Sequence, residues 1–376
     1  MAYSIPLFAL NYDEQEQKAV LDVLRSGWIS MGPKTAELET AFSAHVGCPY
    51  AIAVSNCTTA LHLCLAALGL GPGDEVIVPS MTFVATVNAV GYVGATPVFC
   101  DIVSHTDFSL DPAEVRQLIT PRTKALLPMH YAGFPCDMQA LESIAGEHNL
   151  FLISDAAHAP ATQCNGRHIG QFGDAACFSF FANKNIACGE GGMIVTKDPE
   201  LAKRIRLLRS HGMTSLSFDR ARGHASDYDV IARGFNYRLD DIHAALAISQ
   251  LKKLAGDTAA REQVFHRYVK TLQSFGEIQI PYASAPSGSS YHIFPLLLRE
   301  GGTERRNAVR KALAERGIQT SVHYPPAHRF QIYASLKAVL PKTEWVANHE
   351  ITLPLFAGLT EAQQEQVVDA LVAHIE

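Results

Sequence analysis

Residues 174–193 read DAACFSFFANKNIACGEGGM and combine an apolar run, a single lysine and a glycine cluster. Lys184 lies five positions after Ser179. An apolar pocket disfavours the ammonium form, so a lysine in such a run can act as a nucleophilic amine that forms a Schiff base with a carbonyl cofactor. A surface lysine whose stem covers apolar side chains would give the same pattern.

Outward from this stretch, short β-branched runs alternate with segments of helical spacing. Strands are expected at 51–54, 76–78, 97–99, 125–127, 151–153 and 192–195, and helices near 58–68, 82–93 and 138–148. This alternation predicts an α/β fold with a mostly parallel sheet that is covered by helices on both faces.

The pattern changes after Leu239. The expected elements there are two helices, a loop, a strand, a helix, a strand and a last helix, at 240–254, 258–275, 281–290, 293–298, 305–316, 319–323 and 361–375. This order is typical of an α+β domain. We therefore predict a large domain over residues 1–255, including the N-terminal segment, and a small C-terminal α+β domain over residues 256–376.

The composition excludes several classes of protein. The 376 residues are 48% hydrophobic and 18% charged, with a net charge of −6, which leaves no electrostatic footprint for nucleic acid or an anionic membrane. None of the eight cysteines forms a C-x-x-C pair, so no metal site is expected. Reduced thiols and a start without a signal-peptide pattern suggest a cytoplasmic protein. The uncharged stretch 76–100 contains two prolines and fits a buried strand–helix–strand unit better than a membrane span.

Small polar residues occupy the junction between the first strand and its helix, where residues 55–61 read SNCTTAL. Backbone N–H groups and hydroxyls at a helix N-terminus form an anion site. Thr58 could equally cap the helix without any ligand.

Asp155 ends another apolar strand, at 151–153. Ligands of parallel α/β sheets lie at the carboxyl ends of strands, and a carboxylate there can keep a heterocyclic nitrogen protonated. Asp155 could instead cap the next helix, and His158 could bind a cofactor oxygen or be an ordinary buried histidine. A phosphate site, a strand-end aspartate and Lys184 in this order together indicate one cofactor, pyridoxal 5'-phosphate.

The sequence resembles the DegT-type pyridoxal-phosphate-dependent nucleotide-sugar aminotransferases from about Pro6 to the final helix. The segments that carry the resemblance are GPGDEVIVPS at 71–80, DAAH at 155–158, the block 179–192, GFNYR at 234–238, VHYPP at 322–326 and LPL at 353–355. The segments MHYAG at 129–133 and GRHIG at 166–170 are similar to those of UDP-4-amino-4-deoxy-L-arabinose aminotransferases. The resemblance implies the aspartate-aminotransferase-like fold, fold type I of the pyridoxal-phosphate enzymes.

The resemblance also implies roles around the cofactor ring. Lys184 forms the Schiff base and is catalytic, together with Asp155, which pairs with the pyridine nitrogen. Phe83 stacks on the ring, and His158 lies near its phenolic oxygen.

The phosphate group of the cofactor is expected to contact Thr58, Thr59 and Ser179, while Asn236 reaches the phosphate of the neighbouring subunit's cofactor. The sequence departs from the family at 56–57, where Asn-Cys replaces a common Ser-Gly pair. Whether Thr58 or Thr59 makes the side-chain contact is therefore open.

The activity that the resemblance implies is transfer of an amino group from L-glutamate to a nucleotide-linked 4-keto sugar, in cell-surface polysaccharide or natural-product biosynthesis. The cofactor would alternate with pyridoxamine 5'-phosphate, and a homodimer would share its active sites. Alternatives are a C-3 keto-sugar or cyclitol aminotransferase and a non-catalytic cofactor-binding regulator. A sugar dehydratase of this family is expected to lack the lysine at position 184.

A diphosphate-bearing acceptor requires basic residues, for which the candidates are Lys34, Arg222, Arg233, Arg238 and Arg329. Trp28 and Ser30 belong to a segment that resembles the border of the family's sugar site, and His323 and His328 flank the YPP motif. Solvated arginines, a packing tryptophan and two surface histidines would explain the same residues.

Overall fold

The central sheet of the computed structural model, which describes residues 3–214, 227–285 and 288–375, is mostly parallel. Its seven strands lie in the order β1 (Tyr50–Val54), β9 (Gly192–Thr196), β8 (Ala175–Ser179), β5 (Phe151–Asp155), β4 (Thr123–Leu126), β2 (Glu75–Pro79) and β3 (Thr96–Cys100). The five strands from β8 to β3 are parallel, and β9 is antiparallel to both of its neighbours. The predicted mostly parallel sheet is confirmed.

Helices cover both faces of this sheet because both faces of its strands are apolar. Ile52 and Val54 belong to one buried cluster, whereas Ala51 and Ala53, which point the other way, belong to another that includes Phe42. The helices of this part are α1 (Glu14–Ser26), α2 (Pro33–Val46), α3 (Cys57–Ala67), α4 (Val84–Tyr92), α5 (Pro112–Leu118), α6 (Met138–His148) and α7 (Pro199–Arg209). A short hairpin pairs β6 (Gln163–Cys164) with β7 (Arg167–His168).

The C-terminal part has a three-stranded antiparallel sheet of β10 (Ile278–Gln279), β11 (Phe294–Leu298) and β12 (Glu350–Leu353). Its helices are α8 (Asp241–Leu272), α9 (Gly302–Glu315), α10 (Pro341–His349) and α11 (Glu361–Val372). None of the helices in the described ranges is long and apolar enough to cross a membrane.

The two helices that we predicted at 240–254 and 258–275 are one helix, α8. Gly256 and the polar residues after it suggested the end of one helix and the start of another. A glycine inside a helix costs only about 1 kcal/mol, and the packing of α8 against α1 and α2 offsets that cost. The predicted domain boundary at 255/256 lies inside this helix, and the division into two domains stays a prediction.

The predicted strand at 319–323 is also wrong, since only an isolated bridge joins Ser321 to Thr352. The backbone N–H groups of this segment bind different partners. The Gln319 N–H donates to the Ile5 carbonyl oxygen, and the His323 N–H donates to the Glu350 carboxylate. Conversely, β8 was missed because its short AACFS sequence alternates neither in polarity nor in size.

Candidate active site

The carboxyl ends of the parallel strands bring the predicted cofactor residues to one edge of the sheet. Asp155 ends β5, Ser179 ends β8, Asn56 follows β1, and Phe83 lies between β2 and α4. A cavity of about 460 Å³ opens at this edge. The residues that line it include Asn56, Cys57, Thr58, Phe83, Met129, Asp155, His158, Ser179, Asn183, Lys184, Glu190, His323 and Tyr324.

Lys184 lies in the loop after β8, in a turn that its N–H closes onto the Phe181 carbonyl oxygen at 2.9 Å. Burial lowers the pKa of its amine to about 8, although Asp155 and Cys57 oppose this shift. No residue of the described ranges accepts a hydrogen bond from this amine. A larger fraction of the amine is therefore neutral near pH 7 than for an ordinary lysine, and the neutral amine is the nucleophile.

Asp155 faces the same cavity and is 4% exposed. Burial raises the pKa of its carboxyl, whereas hydrogen bonds from the Thr86 hydroxyl and the Ala157 N–H, with the nearby Lys184, lower it. The Thr86 Oγ1–Oδ2 distance is 2.6 Å, and the Ala157 N–Oδ1 distance is 3.0 Å. Each oxygen keeps a lone pair, so the carboxylate can still accept a proton-bearing ring nitrogen.

The N-terminus of α3 also lines the cavity. Asn56 caps this helix by accepting the Thr59 N–H at 2.9 Å, and the Thr59 hydroxyl donates back to the Asn56 carbonyl oxygen at 2.8 Å. The N–H groups of Cys57 and Thr58 make no hydrogen bond within the described residues, as is usual in a first helical turn. These two N–H groups can bind a phosphate.

Gly192 lets β9 approach this cap closely. A Cβ atom at position 192 would lie 2.6 Å from the Asn56 carbonyl carbon and 2.8 Å from the Cys57 nitrogen. A side chain there would push the anion site out of place, so the last glycine of the sequence cluster serves the α3 N-terminus.

His158 is 1% exposed, and burial lowers the pKa of its imidazole well below the ordinary value. Its Nε2 lies 2.9 Å from the Tyr324 hydroxyl, but its Nδ1 is buried and has no hydrogen-bond partner within the described chain. A lysine amine without an acceptor and two N–H groups without a partner in the described chain lie in one cavity and fit pyridoxal phosphate, which offers a partner to each of them.

Six of the eight residues that we predicted for the cofactor line this cavity: Thr58, Phe83, Asp155, His158, Ser179 and Lys184. Thr59 is one position away, but its hydroxyl belongs to the helix cap. Asn236 is exposed and lies outside the cavity of its own chain. The individual roles of all eight residues stay predictions.

Among the residues that we predicted for the substrate, only His323 lines the cavity, whereas Trp28, Ser30, Lys34, Arg233, Arg238 and His328 do not. Lys34 pairs with Glu37, and both nitrogens of the His328 ring are taken, by Ser80 and Glu344. Arg329 also pairs with Glu344. Arg222 lies outside the described residues.

Sequence reasoning missed Thr86 and Asn183. Thr86 belongs to α4 and Thr82 lies two residues before this helix, and their hydroxyls lie 2.7 Å from each other. That spacing signals a helical pair but does not reveal that the pair faces Asp155 on another strand. Asn183 gave no signal beyond its position next to Lys184.

The chain is similar to known proteins along nearly its whole length. Residues 11–372 match the model of the DegT/DnrJ/EryC1/StrS aminotransferase family. The chain is 38% identical to the spore coat polysaccharide biosynthesis protein SpsC of Bacillus subtilis (strain 168), with 99% of this chain and 96% of SpsC covered.

Solved structures show the same similarity. Helicobacter pylori PseC, an aminotransferase involved in the biosynthesis of pseudoaminic acid, superposes with a TM-score of 0.92 at 30% identity and covers 100% of this chain and 99% of its own. Spr1654 from Streptococcus pneumoniae, in its PMP-form, superposes with a TM-score of 0.91 at 30% identity and the same coverage. These findings confirm the predicted fold type I, the predicted cofactor and the predicted enzyme class. The chain belongs to the DegT/DnrJ/EryC1/StrS aminotransferase family.

Proposed function

We propose that this chain is a sugar aminotransferase that moves the amino group of L-glutamate to the C-4 keto group of a nucleotide-linked sugar in amino-sugar biosynthesis. The observation that carries the proposal is the single cavity in which Lys184, with its lowered pKa, meets Asp155 and the N-terminus of α3. The family match supports transamination, and the names of SpsC and PseC support a sugar as the acceptor.

When bound, pyridoxal phosphate supplies the aldehyde that takes up an amino group and the ring that delocalises the electron pair of the reacting carbon. The N–H groups of Cys57 and Thr58 would hold its phosphate, and Asp155 would hold its ring nitrogen. Each of these groups is fixed by the fold before anything binds, so the site needs little reorganisation.

Lys184 then serves as the base. Its neutral Nζ would take the proton from the α-carbon of the amino donor, and its ammonium form would deliver a proton to the acceptor carbon that gains the amino group. Because burial lowers the pKa of this amine to about 8, a useful fraction is neutral near pH 7. His158 and Tyr324, joined at 2.9 Å, would orient the phenolic oxygen side of the cofactor.

The acceptor can be tested directly. Purified protein is incubated with glutamate and a panel of nucleotide-linked 4-keto and 3-keto sugars, and mass spectrometry records 2-oxoglutarate and the aminated sugar. We expect amination of a 4-keto sugar, and none with Lys184→Ala. Amination of 3-keto sugars alone would refute the C-4 assignment. A protein that converts no amino acid to its keto acid would refute the enzyme itself.

Asn236 supports a shared active site, because it is exposed and lies away from the cavity of its own chain. We propose a homodimer in which Asn236 of one protomer contacts the phosphate of the other. Mixing two inactive variants, Lys184→Ala and Asn236→Ala, should restore about a quarter of the wild-type activity, because half of the dimers carry one intact site. No restoration, in a mixture that is shown to exchange subunits, would place Asn236 within the site of its own chain, and an Asn236→Ala variant with full activity would place it outside the site.

A further inference from the structure

His323 is held at the cavity by a chain of hydrogen bonds that leads away from it. The His323 Nδ1 lies 2.8 Å from the Thr352 hydroxyl oxygen, and this hydroxyl lies 2.5 Å from Glu350 Oε1. Glu350 Oε2 accepts the backbone N–H of His323 at 2.9 Å. Glu350 and Thr352 are both 0% exposed and belong to β12, outside the set of residues that line the cavity.

The direction of these hydrogen bonds determines which ring nitrogen of His323 carries the proton. Thr352 has a single hydroxyl proton. While Glu350 is a carboxylate, it can only accept, so Thr352 donates to it and must accept from His323 Nδ1–H. The neutral ring then presents a bare Nε2, an acceptor, to the cavity.

Protonation of Glu350 reverses the direction of these hydrogen bonds. Its Oε1–H donates to Thr352, and Thr352 donates to a bare Nδ1. The neutral ring still carries one proton, which it loses from Nδ1 and regains at Nε2 by exchange with solvent in the cavity, so the ring now presents a donor. No described residue forms a hydrogen bond with Nε2, so this nitrogen is available to a substrate.

We propose that Glu350 and Thr352 are positioning residues that set the tautomer of His323 and so decide whether this ring offers the substrate a hydrogen-bond donor or an acceptor. A donor suits the oxygen of a keto sugar or a carboxylate, and an acceptor suits a hydroxyl or an ammonium group. The consequence for a keto substrate rests on the proposed transamination, whereas the tautomer does not.

Several charged or titratable groups act on Glu350. Arg306 and Arg310 of α9 favour its carboxylate without forming an ion pair with it within the described residues, and the hydroxyls of Tyr131 and Tyr324 also interact with it electrostatically. Burial is the largest effect and raises the pKa of Glu350 to about 8. Burial also lowers the pKa of His323 to about 3, so this ring stays neutral while Glu350 titrates.

The test reads the tautomer by NMR. The protein with its bound cofactor is labelled with ¹⁵N-histidine and titrated from about pH 6.5 to about pH 9.5, where the protonated and the bare ring nitrogen are distinguished by their shifts. The signal that disappears in His323→Gln identifies the residue. We expect Nε2–H at the low end, Nδ1–H at the high end and a change near pH 8.

Variants assign the change to the two positioning residues. In Glu350→Gln, the amide can donate to Thr352 at every pH, so Nε2–H should persist throughout. Thr352→Val should abolish the change, and Thr352→Ser should restore it. A wild-type ring that keeps one tautomer, or a change that survives in Thr352→Val, would overturn the proposal.

If Glu350→Gln does not fold, the Thr352→Val and Thr352→Ser variants still decide between the outcomes. Transamination is assayed on the same samples, and a wild type without turnover would contradict the proposed function alone.

Discussion

The buried amine of Lys184 should lower the free energy of unfolding of the protein, and this effect can be measured. The pKa of its amine is about 8 instead of the ordinary 10.5, because burial disfavours the ammonium form. At 1.36 kcal/mol per pKa unit, the difference corresponds to roughly 3 kcal/mol. Replacing Lys184 with Met, a neutral side chain of similar length, should therefore stabilise the cofactor-free protein near neutral pH.

The sign of the pH dependence follows from the direction of the shift. Between about pH 8 and pH 10.5 the unfolded chain binds a proton at position 184 that the folded protein does not, so the stability of the wild type rises with pH in this window. Below it, both states are charged and the full cost is present. Lys184→Met should then exceed the wild type by at most about 3 kcal/mol at pH 7 and by little at pH 10.5. The value is an upper limit because Asp155 loses its cationic neighbour in the variant.

The measurement is urea unfolding of both cofactor-free proteins at several pH values, with circular dichroism as the signal. Lys203→Met is the matched control, because this lysine is exposed on α7 and its charge stays in water. Its stability difference from the wild type should not vary with pH in the way expected for position 184. Equal stability of Lys184→Met and the wild type from pH 7 to pH 10 would refute the reasoning that burial lowers the pKa of this amine.

Three other outcomes are expected. Gly192→Ala should weaken cofactor binding at least tenfold in a fluorescence titration, about 1.4 kcal/mol, because its Cβ would enter the α3 cap, while Gly146→Ala, which has open space, should not. Thr86→Val should raise the pKa of Asp155 further, since a hydrogen bond to a charged group contributes about 1.5–3 kcal/mol. The variant should show a lower kcat and a smaller change in KM. Thr82→Val, which removes only the outer hydroxyl, should have the smaller effect, and equal kinetics of Thr86→Val and the wild type would contradict this reading. Light scattering should show a dimer, and a fully active monomer would exclude shared sites.

Sequence periodicity predicted six of the seven strands of the large sheet because these strands are buried on both faces and separated by helices with apolar residues at helical spacing. The same physics explains the errors. Residues 240–272 contain a glycine and polar residues that usually end a helix, yet packing against α1 and α2 keeps α8 continuous. The β-branched residues at 319–323 predicted a strand, but only Ser321 pairs with a neighbouring strand, while the N–H groups of Gln319 and His323 bind the N-terminal segment and a glutamate side chain. Local pattern therefore succeeds for strands that the sheet buries on both faces, and fails where contacts with one distant segment decide whether an element continues or forms.

The site shows the same division at the level of single residues. Lys184 and Asp155 stand out in the sequence because Asp155 ends an apolar strand and Lys184 is the one charged residue of the stretch 175–189. Thr86, Thr352 and Glu350 carry no comparable signal. Threonine suits a strand or a cap, and a glutamate between a helix and a strand resembles a surface residue. Their importance arises only when the fold places Thr86 against Asp155 and the pair on β12 against His323. Lys184 and Asp155 can thus be proposed from their own sequence context, whereas the placement of Thr86, Thr352 and Glu350 depends on strand order and on segments from the other end of the chain. A variant that changes only this outer group of residues should therefore alter pH dependence while it leaves the cofactor bound.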